Sequence, residues 1–425
     1  MKKVLIISYY FPPSGGAGVQ RWLKMLKYLP EFGVAPIVLT VDEKFASYPQ
    51  IDNTLLHEVS QNVKVYKTQT CEVLSLYKKV SSTNEIPYSG FANEPHPSVF
   101  QKISRFVRGN FFLPDPRRGW NKYAFRAACD IIRKESVDAI ITTSPPHSTQ
   151  LIGGKLKKRF PQLDWIADLR DPWTDIYYNK ALFQTRWAKA LNAKYERQTL
   201  LHADKIITVS EDCARNFAGK VAKQLPIFVL PNGYDPADFT TVSILPKVEK
   251  KVLSYVGVFN EQYRADVLVE ALQLLPQESQ QKLLLRFVGK VSPVVKQQLS
   301  ILSCLVEYVD YVPHKEAVGY MCSSDMLLLC VPDIAENKGI LTGKLFEYLA
   351  AQRPIVLLGP EGGDAARILS TCEAGDCCGY DANKLADCIQ KYLTAQAPWV
   401  ATNENYRQYS RKAVAEQLAM LLRNC

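Results

Sequence analysis

The sequence predicts an α/β chain of two domains, each a parallel sheet covered by helices on both faces. Three observations predict it. The 425 residues exceed what a single core of ordinary size fills. Short apolar runs alternate with helical patterns from end to end, as in parallel sheets buried on both sides. The pattern restarts after Asn232-Gly233, and the stretch Tyr234–Lys250, rich in Asp, Pro and Thr, lacks periodicity and reads as a linker. The expected boundaries are 1–238, 239–400 and a closing helical segment, 401–425.

The elements follow in order. Val4–Ser8 reads as a strand, Gly18–Leu29 as a helix and Pro36–Thr40 as the next strand. Ala139–Thr142, Trp165–Ala167 and Lys205–Val209 are further strands, each leading into a helix, and Ile227–Leu230 is an apolar strand before the linker. In the second half Val252–Val256, Leu284–Val288, Met326–Cys330 and Pro354–Leu358 repeat the pattern. Asn403–Leu422 reads as a helix with Val414, Leu418, Leu421 and Leu422 on one side.

A hydrophobic share of 47% with 22% charged residues is that of a soluble globular protein. No apolar run reaches the roughly 18 residues a membrane span needs. Met1-Lys2-Lys3 followed by Val4 to Ile7 reads as a first strand rather than a leader, because polar Ser8-Tyr9-Tyr10 interrupts it. A cytoplasmic protein is expected, at the inner face of the membrane if it binds one. The eleven cysteines form no C-x-x-C pair, and no histidine stands near Cys372, Cys377 and Cys378, so neither a metal site nor a disulfide framework is expected.

The net charge of +10 sits in one half. Residues 1–240 hold 33 Lys and Arg against 22 Asp and Glu, while 241–425 hold 19 against 20. The basic half suits an anionic acceptor or an anionic membrane, with plain solubility as the alternative. No nucleic-acid partner is expected. Within the irregular stretch 70–118, Ser98–Arg108 places Val99, Phe100, Ile103, Phe106 and Val107 at helical spacing with Lys102, Arg105 and Arg108 between them, and Phe111, Phe112 and Leu113 follow. Such a segment, 98–113, reads either as a peripheral membrane contact or as a helix packed on its own domain.

Four motifs carry chemistry. Gly15-Gly16-Ala17-Gly18 follows the first strand and opens a helix, where glycines let backbone approach a ligand closely. A dinucleotide fingerprint would need a third glycine, although Asp42 does follow the second strand, so a nicotinamide site stays open. Asp168-Leu169-Arg170-Asp171-Pro172-Trp173 lies past the end of a strand, where open α/β sheets bind ligands, and His147 ends the strand before it. Each of these side chains also fits a purely structural role. Gly257 ends another strand, with Arg264 a few residues on as a candidate diphosphate ligand. Finally, Gly343-Lys344-Leu345 opens a helix whose free N–H groups and dipole form a seat for phosphate, and Glu347 one turn in can accept from ribose hydroxyls.

Taken in order, these motifs, with Pro231-Asn232-Gly233-Tyr234-Asp235, resemble family 4 of the retaining glycosyltransferases, which have the GT-B fold. The resemblance implies two facing Rossmann-like domains with an inter-domain cleft, and a C-terminal helix that returns to the first domain. It implies a nucleotide-sugar donor as substrate with no cofactor or metal, and a saccharide or lipid-linked acceptor. Gly15, Gly16, Gly257, Arg264, Gly343, Lys344, Leu345 and Glu347 would hold the donor. Asp168, Asp171, Arg264 and Glu347 would serve catalysis, and His147 and Arg170 the acceptor. The chain departs from the family's Glu-x7-Glu pair: Glu347 fits the second acid, but Gly339 stands where the first belongs. Backbone groups of Gly339, Ile340 and Leu341 are expected in its place, and a non-catalytic sugar-nucleotide or partner-binding protein on the same fold is the alternative.

Overall fold

The computed structural model describes residues 1–71, 99–395 and 403–423. The chain divides into two compact units, Met1–Pro231 with Val414–Cys425, and Asn232–Ala413.

Among the described residues the first unit holds seven strands: β1 (Lys2–Ile7), β2 (Val34–Val41), β3 (Lys64–Thr68), β4 (Ala139–Ser144), β5 (Asp164–Leu169), β6 (Lys205–Thr208) and β7 (Ile227–Val229). They run all parallel in the order β3-β2-β1-β4-β5-β6-β7. The order reverses between β1 and β4, and the crevice outside the carboxyl ends of strands at such a point is where open α/β sheets take ligands. The central strands read as unbroken apolar runs because both faces are covered: Leu5 and Ile7 pack with Trp120 and Ile152 on one side, Val4 and Ile6 with Trp22 and Met25 on the other.

The final helix, Arg411–Arg423, completes the second of these faces. Val414, Ala415, Leu418, Ala419 and Leu422 are buried there beside Val4, Ile6 and Trp22. Lys2 and Lys205 donate to the terminal carbonyls of Leu422 and Leu421, at 2.5 and 2.7 Å, which satisfies acceptors the helix leaves open. Leu418 has no exposed surface. Leu418→Ala is therefore expected to destabilise this unit by about 3 kcal/mol through lost burial and the cavity left behind, read as a lowered midpoint in urea unfolding.

The second unit holds β8 (Lys251–Val256), β9 (Leu283–Val288), β10 (Leu305–Val309), β11 (Met326–Cys330), β12 (Ile355–Leu358) and β13 (Gly375–Cys377). Their order is β10-β9-β8-β11-β12-β13, again all parallel, with the reversal between β8 and β11.

The unit boundary corrects the expected one. It falls at Pro231, not at 238, and the described residues 403–413 go with the second unit. The reason is a backbone clasp: the Tyr234 N–H donates to the Tyr409 carbonyl at 3.1 Å, and the Arg411 N–H donates to the Tyr234 carbonyl at 2.7 Å. Gly233 makes the approach possible, with φ of 72° and no room for a Cβ against the Tyr409 oxygen. The expected linker is partly built, since Pro236–Phe239 forms a 3-10 turn capped by Asp235. The last helix starts at Arg411 rather than 403, behind a separate 3-10 turn over Asn405–Tyr409. Residues 401, 402, 424 and 425 of the expected closing segment, and 72–98 of the irregular stretch, lie outside the described residues.

Candidate functional site

In the first unit the expected residues gather at the carboxyl ends of β1, β4 and β5, beside the strand reversal. The glycine turn after β1 is pinned from outside. Gly15 donates its N–H to the Gln50 carbonyl at 3.0 Å, and Ser14 bridges to Ile51. Gly16 has φ of 94° and ψ of 164°, a backbone state open to glycine alone, and it leads the helix Ala17–Tyr28.

Two residues expected to meet substrate are instead committed to holding this turn. The Arg170 guanidinium donates to the carbonyls of Gly18 at 2.6 Å, Ser144 at 2.9 Å and Pro145 at 3.4 Å, tying the end of β4 to the glycine turn. Asp168 is fully buried. One of its carboxylate oxygens accepts from Trp22 Nε1 at 2.8 Å and from Thr143 Oγ1 at 2.7 Å, and the other pairs with Arg21 at 3.3 Å. Arg21 in turn donates to the Leu230 and Pro231 carbonyls at 2.8 and 3.1 Å. The structure thus gives Asp168 and Arg170 internal partners, the structural role that their place in the sequence also allows. The driving physics is burial: a charge taken out of water needs a partner or several hydrogen bonds, and these two found theirs inside the unit.

Asp171 and His147 differ. Asp171 is half-buried and has no hydrogen-bond or ion-pair partner among the described residues. Burial raises its pKa, against the pull of Arg170. The His147 ring stacks on Trp173 at 4.8 Å and 10°, and neither ring nitrogen has a partner among the described residues. Burial, helped by Arg170 and Lys220, lowers its pKa to about 3, so the ring is neutral at pH 7. Trp173 is fixed in turn by donating Nε1–H to Asn192 at 2.8 Å.

In the second unit the strand reversal gathers another set. Gly257 ends β8 with φ of 128°, and the Lys344 side chain lies directly over it: a Cβ at Gly257 would stand 2.9 Å from Nζ and closer still to Cε. The Lys344 ammonium sits 4.9 Å above the Tyr255 ring and donates to the Tyr255 hydroxyl at 3.1 Å. The Tyr255 hydroxyl in turn donates to the Val258 carbonyl at 2.9 Å. Burial lowers the Lys344 pKa.

Lys344 belongs to the first turn of the helix Gly343–Ala351. The amides of Gly343 and Lys344 lead that helix, with no carbonyl of its ladder to bond. A Cβ at Gly343 would meet no atom within 4 Å. The N-cap hydroxyl, Thr342 Oγ1, is buried without a hydrogen-bond partner among the described residues. The third expected phosphate donor, the Leu345 N–H, turns back to the Thr342 carbonyl at 3.2 Å. Likewise the Ile340 N–H, expected toward the sugar, donates to the Asn337 carbonyl at 3.1 Å.

Glu347 stands one turn into this helix, and burial raises its pKa. Its Oε1 is 4.0 Å from His314 Nε2, which also lies 3.3 Å from Asp238 Oδ2. Arg264 is placed elsewhere. Its Nε and one terminal nitrogen bond Asp266, and the other donates to Asp333 at 2.7 Å. These carboxylates raise its pKa, so the guanidinium stays charged but its donors are engaged.

Tyr255, Thr342 and Asp238 were not anticipated. Tyr255 stands two residues before Gly257, yet nothing in the sequence says that it seats a lysine 89 positions away.

Two family models match the chain in tandem. The model of Glycosyltransferase Family 4 matches residues 88–238, and that of Glycosyl transferases group 1 matches 250–395. By sequence, curated proteins give no match. Among solved structures, sucrose-phosphate synthase from Thermosynechococcus elongatus is 16% identical with a TM-score of 0.65, over 100% of this chain and 99% of that one. Anabaena Alr3699/HepE in complex with UDP is 13% identical with a TM-score of 0.63, over 100% of both chains. WaaG, a glycosyltransferase involved in lipopolysaccharide biosynthesis, is 16% identical with a TM-score of 0.56, over 99% of both chains. With both family models matched in tandem on two parallel-sheet units, the chain belongs to the family 4 glycosyltransferases of GT-B fold.

Proposed function

We propose that this glycosyltransferase moves a sugar from a nucleotide-sugar donor to a saccharide or lipid-linked acceptor, with retention of anomeric configuration. One observation carries the reading: the open first turn of the helix at Gly343, with the Lys344 ammonium folded over Gly257 at the strand reversal. As the bond from sugar to diphosphate breaks, negative charge grows on the leaving group. Two forward-pointing amides and a desolvated ammonium stabilise that charge more than they stabilise the intact donor. Glu347 accepts from the ribose hydroxyls. Asp171 and neutral His147 have free polar atoms for sugar or acceptor hydroxyls, whereas Asp168 and Arg170 hold the glycine turn in place.

The test is release of nucleoside diphosphate from UDP-, GDP- and ADP-sugars, with UDP first because the structurally similar Alr3699/HepE holds it, followed by NMR of the product anomer. Failure of every donor overturns the reading. Binding without turnover favours the non-catalytic alternative, which Gly339 and the engaged Arg264 support.

Glu347 supplies a pH signature. Its folded pKa lies above the ordinary 4.5, so ionising it works against the fold; that part of the stability is complete below the unfolded value and is lost as pH rises through the folded one. Ribose hydroxyls that donate to the carboxylate favour the ionised form. Nucleotide affinity is therefore expected to climb as pH rises through the raised value and then level off. Calorimetric titration of a nucleotide sugar, whose diphosphate diester keeps its charge as pH rises, checks this, and Glu347→Gln is expected to bind more weakly and without that rise.

A further inference from the structure

The helix Val99–Phe111 is built inside out. Ile103, Phe106, Val107 and Phe111 recur at helical spacing as one apolar stripe, yet they are exposed, Phe111 to 73%. The face turned to the unit is polar or small. Arg105 and Asn110 are buried, and Gly109 packs against the Leu182 carbonyl so closely that a Cβ would clash. Asn110 fixes the neighbouring segment, donating to the Phe183 carbonyl at 3.2 Å and accepting from the Thr185 N–H at 2.7 Å. Phe183 is held with φ of 47°, a state a bulky residue keeps only when its surroundings impose it, and its ring is exposed. Trp187, 65% exposed, starts the next helix, and Lys102, Ile103, Phe106 and Phe183 line a shallow hollow between the two segments. The side chains of Val99 and Phe100, and all of Ser98, lie outside the described residues.

Charge selects the occupant. Residues 99–114 hold Lys102 and Arg108 besides the buried Arg105, and 176–195 hold four Lys and Arg, with no Asp or Glu in either stretch. A second copy seated on this face by a two-fold axis would bring the same cations against each other. Anionic lipid headgroups complement them, and the aromatic rings fit the headgroup–acyl boundary. No described helix is long and apolar enough to cross a membrane, so the contact is one of lying on the surface.

We propose that the apolar stripe of Val99–Phe111, joined by Phe183 and Trp187, seats the first unit on the surface of a bilayer rich in anionic lipid. The proposal does not rest on the donor reading. Full-length protein is floated with vesicles of phosphatidylcholine, alone or with about 30 mol % phosphatidylglycerol. Wild type is expected to partition onto the anionic vesicles at least about tenfold better than onto the neutral ones, and less well as salt rises. Phe106→Asp with Trp187→Asp, and separately Lys102→Glu with Lys189→Glu, are each expected to lower that partition about tenfold or more, with melting temperatures unchanged. Absence of wild-type flotation, or equal flotation of the variants, overturns the proposal. So does a dimer in sedimentation velocity that Phe106→Asp dissolves, which would make the face a self-interface. Donor turnover is read in parallel and reports on the transfer reading alone.

Discussion

Replacing Asp168 by alanine is expected to destabilise the first unit by about 3–5 kcal/mol, a loss of about 10 °C in the melting temperature of its transition. The carboxylate is fully buried between Arg21, Trp22 and Thr143. Its removal takes from the buried Arg21 guanidinium the carboxylate it pairs with. It also strands the Trp22 indole N–H and the Thr143 hydroxyl in a space closed to water, and each buried orphan costs about 1–3 kcal/mol. Asp168→Asn keeps an acceptor for Trp22 but removes the negative charge that Arg21 pairs with, so it is expected to lose nearly as much. Replacing the pair together, Arg21→Met with Asp168→Leu, is expected to recover the part of the loss due to the unpaired charge, while the cost of the stranded Trp22 N–H and Thr143 hydroxyl remains. Differential scanning calorimetry of the four proteins checks the series. An Asp168→Ala protein that melts like wild type but has lost turnover would instead place this carboxylate on the substrate.

The same residue shows what could be read in the chain beforehand. Interior strands such as β11 and β12 are apolar without interruption because both faces are covered, and they stand out by composition alone. The strands that escape are β3, β10 and β13. The first two are half-exposed and carry Lys or Glu among their few residues, and β13 is only Gly375-Asp376-Cys377. Edge strands lack the continuous apolar signal. At the site, the helix opening at Gly343 was legible because its cue is local, a Gly-Lys start before a buried apolar face. The fate of Asp168 and Arg170 was not, because their partners lie far along the chain: Trp22 is 146 positions from Asp168, and Gly18 is 152 from Arg170. A carboxylate past the end of a β-strand looks the same in sequence whether it faces substrate or a buried arginine. Arg264 has nearer competitors. Asp266 follows it by two residues, but Asp333 reaches it from the far side of the strand reversal.

Loss of the Lys344 ammonium is expected to lower donor turnover about 10²–10³-fold, the effect of removing one preorganised donor from a site where charge develops. With Arg264 held by Asp266 and Asp333, Lys344 is the cation poised at the open helix end beside Gly257. The ammonium is already desolvated, so it needs little reorganisation as the leaving group gathers charge. Lys344→Ala should therefore reduce kcat far more than it raises KM, because the interaction strengthens in the transition state. Lys344→Arg is not expected to rescue the loss. The guanidinium spreads its charge over a planar fork and does not reproduce the compact ammonium seated over Gly257 and the Tyr255 ring. Tyr255→Phe keeps the ring beneath the ammonium and removes only the hydroxyl, so its effect should be about tenfold or less. Burial lowers the Lys344 pKa, and turnover should therefore fall at alkaline pH earlier than for an exposed lysine, an effect absent from Lys344→Ala. Steady-state kinetics on the preferred donor, with a pH profile for each protein, decides the matter. A Lys344→Ala protein with wild-type kcat would remove the helix opening at Gly343 from the chemistry and with it the present assignment of the donor site.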